Sequence, residues 1–240
     1  MIPKTIHYCW FGKGAMLELV LECIDSWKKI LPSYDMRLWN EDNFDINTAP
    51  QYVQEAYAAK KYAFVSDYVR LWALEREGGL YMDVDFEVYK SFDDLMEQYE
   101  AFAGYEGSKR NPVMMGVLAA VPHHPWIQAM MATYADRRFV REDGTLDMTP
   151  NTGYFYDWMI RQGFVADGVE KDWMGVHILP VECFCPGLTT GENLRCERTY
   201  CEHKGLHSWS GNGGWKAKVL SWVSPEMKIK LIKLKRRLLR

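Results

Sequence analysis

The chain is 240 residues long, 48% hydrophobic, 14% aromatic and 25% charged, enough to bury one large core, and a single α/β domain is the simplest organisation. No apolar run is long enough to cross a bilayer, and Met1 leads into Ile2-Pro3-Lys4 rather than a basic and then apolar leader, so a cytoplasmic place and mostly reduced cysteines are expected. The net charge of −3 hides an asymmetry: residues 228–240 carry seven Lys or Arg and no acid, which leaves 22 basic against 32 acidic residues in an acidic body that gives no sign of binding nucleic acid.

Thr5 to Phe11 reads as a first strand, apolar and aromatic, closing at Gly12-Lys13-Gly14. Trp10 at its C-terminal edge could stack on a nucleotide base; in a chain with ten tryptophans, packing in the core is the alternative. Leu17, Val20, Leu21, Ile24, Trp27 and Leu31 mark an amphipathic helix that Pro32 helps to stop. Met36 to Trp39 reads as a second strand, Asn40 to Asn47 as a polar loop and residues 51–61 as another helix.

The stretch from Phe64 to Tyr89 organises the rest. Val65, Val69, Leu71, Trp72 and Leu74 recur at helical spacing, Gly78-Gly79 stops the helix, and Leu80 to Val84 is apolar and β-prone. The strand is expected to deliver Asp83 and Asp85 at its C-terminal end, on one face because the strand period is two. Two carboxylates so placed repel each other and call for a cation, and oxygen-only ligands favour a hard one, Mg²⁺ or Mn²⁺, completed by water and a diphosphate. Asp67 and Arg70, three apart on the helix, share a face and can offer one acceptor and one cation to a single ligand. Helices alternating with short strands argue for a largely parallel sheet with a ligand at its carboxyl edge.

Ser66-Asp67, Arg70, Gly78-Gly79, Tyr81, Asp83 and Asp85 together resemble the signature of DXD-motif glycosyltransferases, the family of yeast α-1,6-mannosyltransferase and bacterial capsular polysaccharide transferases, and are similar to the catalytic domain of the large clostridial glucosylating toxins. Ile6-His7-Tyr8-Cys9-Trp10-Phe11-Gly12 near the start and His207-Ser208-Trp209-Ser210-Gly211 near the end extend the resemblance over almost the whole chain. It implies a GT-A-like, Rossmann-related fold and a retaining, metal-dependent transfer from a UDP- or GDP-sugar to a saccharide or lipid-linked saccharide, in capsular or other surface polysaccharide synthesis. It further implies that Trp10 stacks on the base, that Asp85 binds the metal while Asp83 reaches ribose, sugar or a metal-bound water, and that Asp67 and Arg70 fix sugar hydroxyls. Tyr81 supports the strand or touches the nucleotide. By the same resemblance Asn151 and Thr152 are substrate contacts, His207 is a third metal ligand, and Ser208 and Trp209 close over the diphosphate with Gly211, Gly213 and Gly214 as hinges. The Asn212-Gly213-Gly214 run departs from the relatives, so the register of that loop stays open.

Beyond the central stretch, Phe92 to Glu97 reads as a short helix, Ala101 to Tyr105 and Val113 to Val121 as strands, and Pro125 to Phe139 as a helix begun after His123-His124, a pair that suits a surface turn better than a metal site. A helix opens at Pro150-Asn151-Thr152-Gly153 and runs to Gly163, and Val176 to Val181 reads as a strand. Cys183, Cys185, Cys196, Cys201, His203 and His207 crowd the next segment; structural zinc in an interaction module is one reading, but their spacing fits no common finger or ribbon, and thiols packed among aromatics are the other. A metal-dependent nucleotidyltransferase could use the same aspartates. The expected division is a transferase domain over residues 1–222 and a C-terminal helix over 223–240. In that helix Met227, Leu231, Leu234 and Leu238 face away from Lys230, Lys233, Arg236, Arg237 and Arg240, a pattern suited to an anionic membrane surface at the inner face of the cell membrane or to packing on the domain.

Overall fold

In the computed structural model the described residues are 1–107, 110–187 and 194–205. They build β1 (Thr5–Cys9), α1 (Glu18–Ile30), β2 (Asp35–Trp39), α2 (Gln51–Ala58), α3 (Tyr62–Glu77), β3 (Gly79–Met82), β4 (Phe86–Val88), α4 (Asp93–Gln98), β5 (Ala101–Tyr105), β6 (Val113–Ala120), α5 (Pro125–Ala132), α6 (Asn151–Arg161), β7 (Lys171–Trp173), β8 (Val176–Leu179), α7 (Val181–Phe184) and β9 (Cys201–His203). Seven strands form one sheet in the order β2-β1-β3-β6-β5-β8-β7, and β4 pairs with β9 in a separate two-stranded ribbon.

β1 is parallel to both β2 and β3, and β5 is parallel to β8, whereas β6 runs against β3 and β5, and β7 against β8. Five strands therefore share one direction, the mainly parallel sheet expected from the alternation of helices and strands. The chain leaves β1 on one side to form β2 and returns on the other as β3, so the carboxyl ends of β1 and β3 flank a point where connections diverge, the place where open α/β sheets generally take a ligand.

Period-two alternation explains why both faces are covered. Tyr81, Leu118, Ala120, Ala101 and Ala103 join the core built with α2, α3, α5 and α6, while the intervening Leu80, Met82, Ala119 and Phe102 are buried on the opposite face. On the first face α3 lies against β1, β3 and β6 and packs on α2 and α5; α1 packs against β4. Trp27 fixes α1: it is fully buried, lies edge-on to Tyr8 at 5.6 Å and donates from Nε1 to the Phe86 carbonyl at 2.7 Å. Burial of such a ring contributes on the order of 3 kcal/mol.

His7 and Gly79 fix the turn that aims β3. Trp39 Nε1 donates to His7 Nδ1 at 3.1 Å, so Nε2 carries the ring proton and donates to the Gly78 carbonyl at 2.8 Å, and burial keeps His7 neutral by lowering its pKa. Gly79 has φ +107°, and a Cβ there would stand 2.6 Å from the Thr5 carbonyl oxygen, so only glycine fits.

Several boundaries differ from the sequence reading. β3 stops at Met82 instead of Val84; the helix expected to reach Phe139 ends at Ala132, with Thr133 hydroxyl and amide both returning to the Met130 carbonyl. β4, β7, β9 and α7, each of three or four residues, were not anticipated. The His123-His124 turn is as expected: His123 is exposed beside Glu75 at 2.8 Å, and His124 caps α5 by accepting from Trp126 N. Ser208, Trp209, His207 and the 223–240 helix lie outside the described residues.

Candidate active site

The site begins on α3, where one helical turn separates Asp67 from Arg70. Arg70 Nη2 meets Asp67 Oδ1 at 2.7 Å and Asp83 Oδ1 at 3.3 Å, Nε donates to the Ser66 carbonyl at 3.3 Å, and Nη1 donates to the Met115 carbonyl. Its guanidinium lies 4.7 Å from the centre of the Tyr81 ring, and the Tyr81 hydroxyl donates to Asp83 Oδ1 at 2.7 Å. Arg70 is only 5% exposed, so its charge acts in a poorly screened environment.

Burial pushes the Asp67 carboxyl up to about 6 against the pull of Arg70, and it also raises Asp83, with Asp85 adding to the rise. In the same surroundings Arg70 stays firmly charged. Burial opposes that charge, but Asp83, Tyr81 and Asp67 outweigh it. Below the cluster the Cys9 thiol is pushed up to about 12 by burial, so it is an uncharged packing group, not a nucleophile.

Asp83 and Asp85 do not sit on a strand face as expected. The Asp83 amide still pairs with the Gly116 carbonyl at 2.8 Å, but the Phe86 amide closes onto the Asp83 carbonyl at 3.2 Å, and the two aspartates occupy the turn between β3 and β4. The chain leaves the sheet here because Phe86 is buried and β4 pairs with β9. Gly116 makes room: a Cβ at that position would come within 2.9 Å of both Asp83 Oδ2 and the Phe86 ring.

The turn gives the two acids different partners. Asp83 belongs to Arg70 and Tyr81, whereas Asp85 Oδ2 is 3.0 Å from His203 Nε2. His203 stands opposite Phe86 in the β4–β9 register and stacks on its ring at 4.7 Å. Burial disfavours the charged imidazole, but Asp85 outweighs it and the His203 pKa is raised. Sequence reasoning had placed His203 only among zinc candidates; its position depends on a pairing between residues more than a hundred apart, which no local pattern signals.

A hard divalent cation fits the aspartate pair. The donors are carboxylate oxygens on one turn, and Asp85 raises the pKa of Asp83 by repulsion; Mg²⁺ or Mn²⁺ at Asp85, with Asp83 nearby, would relieve that repulsion in place of the charge His203 supplies. Among the described residues no group of three or more His, Cys, Asp or Glu is arranged to hold a metal. Such ions commonly take one or two carboxylates and complete their shell with substrate phosphates and water. In the late cysteine segment, Cys183, Cys185 and Cys201 are buried and Cys196 is exposed; Cys185 Sγ packs 3.3 Å from Met114 Sδ.

The remaining candidates fall around this centre. Ser66 turns its hydroxyl back to the Tyr62 carbonyl at 3.2 Å. Asn151 is buried at the start of α6, donates to the Asp67 carbonyl at 3.5 Å and accepts from the Tyr134 hydroxyl at 3.2 Å, while Thr152 beside it is half-buried. Trp10 is half-buried just past the carboxyl end of β1, its Nε1 donating to the Gly14 carbonyl at 2.6 Å. Glu41, which sequence reasoning passed over, accepts from the Gly12 amide at 2.7 Å and the Tyr57 hydroxyl at 3.1 Å and ties the loop after β2 to the end of β1 and to α2.

Fold and site together define an α/β domain with an acidic pair in the turn that follows β3, near the point where the connections of β1 and β3 diverge. Residues 18–102, which include Asp83-Val84-Asp85, match the family described as glycosyltransferase sugar-binding region containing DXD motif. An uncharacterized glycosyltransferase, L373, of Acanthamoeba polyphaga mimivirus is 26% identical over 159 residues, covering 64% of this chain and 62% of its own. Inositol phosphoceramide mannosyltransferase 2 of Schizosaccharomyces pombe is 27% identical over 143 residues, 55% of this chain and 38% of its own. The matches therefore span less than two thirds of either relative. Among solved structures, the PaToxG glycosyltransferase aligns over 68% of this chain and 71% of its own at 19% identity and a TM-score of 0.49. Over these parts of its length the chain is similar to DXD-motif glycosyltransferases.

Proposed function

We propose that the protein is a metal-dependent, retaining glycosyltransferase that moves a sugar from a UDP- or GDP-sugar to a saccharide or lipid-linked saccharide, in capsular or other surface polysaccharide synthesis. The observation that carries this reading is the network that buried Arg70 makes with Asp67 and Asp83, braced by Tyr81 and lying beside Asp85. Bound Mg²⁺ or Mn²⁺ would supply Lewis acidity to the departing nucleoside diphosphate. Asp85 would hold the metal, and Asp83 would reach ribose, sugar or metal-bound water. Asp67 and Arg70 would hold sugar hydroxyls in a preset arrangement, with Asn151 and Thr152 beside them and Ser66 on the same helix. Trp10 would carry the base. Breaking the sugar–phosphate bond develops positive charge on the sugar and negative charge on the leaving group, and a rigid, desolvated set of charges stabilises both. With no second carboxylate assigned as nucleophile, departure and attack take place on one face of the sugar.

By the family resemblance alone, His207 would be a third metal ligand, and Ser208 and Trp209 would then close over the diphosphate; all three lie outside the described residues. Likewise the basic segment 223–240 brings the domain to an anionic membrane surface, where each cation contributes about 1 kcal/mol.

Nucleoside diphosphate release from UDP-glucose, UDP-galactose and GDP-mannose, measured with Mn²⁺, with chelator and with Asp85→Ala, tests the reading. Release from one donor, abolished by chelator and reduced at least about a thousandfold in the variant, is expected. No release and no binding at any metal concentration would overturn it, and pyrophosphate release from a nucleoside triphosphate would redirect it to nucleotidyl transfer.

A further inference from the structure

Arg137 lies between α5 and α6, away from the acidic pair. Its side chain is only 9% exposed. The guanidinium sits over three tyrosine rings, 3.7 Å from the centre of Tyr154, 4.3 Å from Tyr52 and 4.8 Å from Tyr134. A buried guanidinium ordinarily takes a hydrogen-bonded carboxylate. Here the paired carboxylate, Asp147, is 3.8 Å away, beyond hydrogen-bond reach, and its other oxygen serves Arg141 at 3.2 Å and the Thr149 amide and hydroxyl. Among the described residues, Arg137 Nη1 and the Tyr52 hydroxyl are buried without a hydrogen-bond partner. The charge is thus held chiefly by ring faces and left unspent towards Asp67, whose carboxylate form it favours.

The cage also touches the site through contacts. Tyr134, one of its walls, donates to Asn151 Oδ1, and Asn151 donates to the Asp67 carbonyl. Tyr52 comes from α2 and Tyr154 from α6, so the side chain joins two helices, and Tyr134 packs in turn on Tyr68 of α3, the helix that carries Asp67.

We propose that Arg137 is a positioning residue for the sugar end of the donor: its tyrosine cage sets Tyr134, and through Tyr134 sets Asn151 against Asp67, so that Asp67, Arg70 and Asn151 meet the sugar hydroxyls as one prearranged surface. The inference rests on the glycosyl-transfer reading above. The nucleotide end, at Trp10 and the aspartate turn, lies outside the cage.

The test separates those two ends. The full chain with Mn²⁺ is titrated calorimetrically with UDP and GDP and with UDP-glucose, UDP-galactose and GDP-mannose, for wild type, Arg137→Met and Tyr134→Phe. For the donor that the wild type turns over, Arg137→Met is expected to weaken nucleotide-sugar binding about tenfold and Tyr134→Phe about threefold, with binding of the matching nucleoside diphosphate changed less than about twofold. Equal losses for both ligands with a lowered melting temperature would assign Arg137 a structural role and overturn the proposal. Unchanged nucleotide-sugar binding in Tyr134→Phe, which keeps the ring and the cage, would overturn it even if Arg137→Met fails to fold. A wild type that binds and turns over nothing brings down the transferase reading and this inference together; normal wild-type turnover with unaffected variants brings down the inference alone.

Discussion

Two charged clusters in this molecule have nearly the same inventory and nearly the same distances. In the first, Arg70 meets Asp67 at 2.7 Å and Asp83 at 3.3 Å; in the second, at the β7–β8 edge, His177 meets Asp172 at 2.7 Å and Glu170 at 3.1 Å, and Arg198 meets Glu170 at 2.6 Å. Their surroundings differ. Arg70 is 6% exposed at its side chain, whereas Arg198 is 50% and Asp172 81% exposed. His177 itself is buried against Tyr99, but water screens Arg198 and Asp172 and leaves them free to part from their partners, while Arg70 is held by its walls. Contact distance alone therefore says little about what an ion pair does; the path to solvent decides.

The sharpest way to break this contrast is Arg70→Met, which leaves Asp67, 13% exposed, and the partly exposed Asp83 without their cation. A stability loss of about 3–5 kcal/mol by denaturant unfolding, together with loss of donor turnover, is expected. A loss below about 1 kcal/mol would show that water reaches the cluster and that the contrast is false.

A smaller effect comes from Asp67 itself. Burial raises its pKa to about 6, so protonation favours the folded state: this contribution is fully present below the ordinary carboxylate value near 4 and is lost as pH rises through about 6. Activity runs the other way, because a protonated carboxyl no longer offers sugar hydroxyls the same acceptor. Turnover is expected to fall as pH drops through about 6, while the stability of the wild type relative to Asp67→Asn rises by about 1 kcal/mol between pH 7 and 5. A stability difference independent of pH over that range would contradict the burial of Asp67.

The smallest effect belongs to the exposed cluster. Arg198→Ala is expected to cost at most about 1 kcal/mol, less at 0.5 M salt, and to leave turnover intact. A larger, salt-independent loss would show that the β7–β8 edge is covered in solution.

Much of this was legible along the chain. Helical spacing in α3, the Gly78-Gly79 stop and the apolar run of β3 read directly, and so did the union of Asp67 and Arg70, because i and i+3 residues on a helix share a face whatever surrounds them. The carboxylate turn did not. Leu80 to Val84 has β propensity throughout, but the strand ends where its β6 partner offers Gly116 and where burying Phe86 draws the chain out of the sheet, and both are tertiary events. His203 and the tyrosine cage escaped for the same reason: each is assembled from residues far apart in sequence, with no period to betray it. The short strands β4, β7 and β9 exist only as partners of other segments.

The β4–β9 ribbon has a consequence for how the protein is made. Tyr89 and Glu202, hydrogen-bonded across its base, are 113 residues apart in sequence, and His203 reaches Asp85 only through the same pairing. On the ribosome the aspartate turn therefore emerges long before the strand that completes its surroundings, and during that interval a growing chain can form the first parallel strands while Asp85 still lacks its imidazole. Closing so long a loop is slow compared with forming helices, which places completion of the site among the last events of folding.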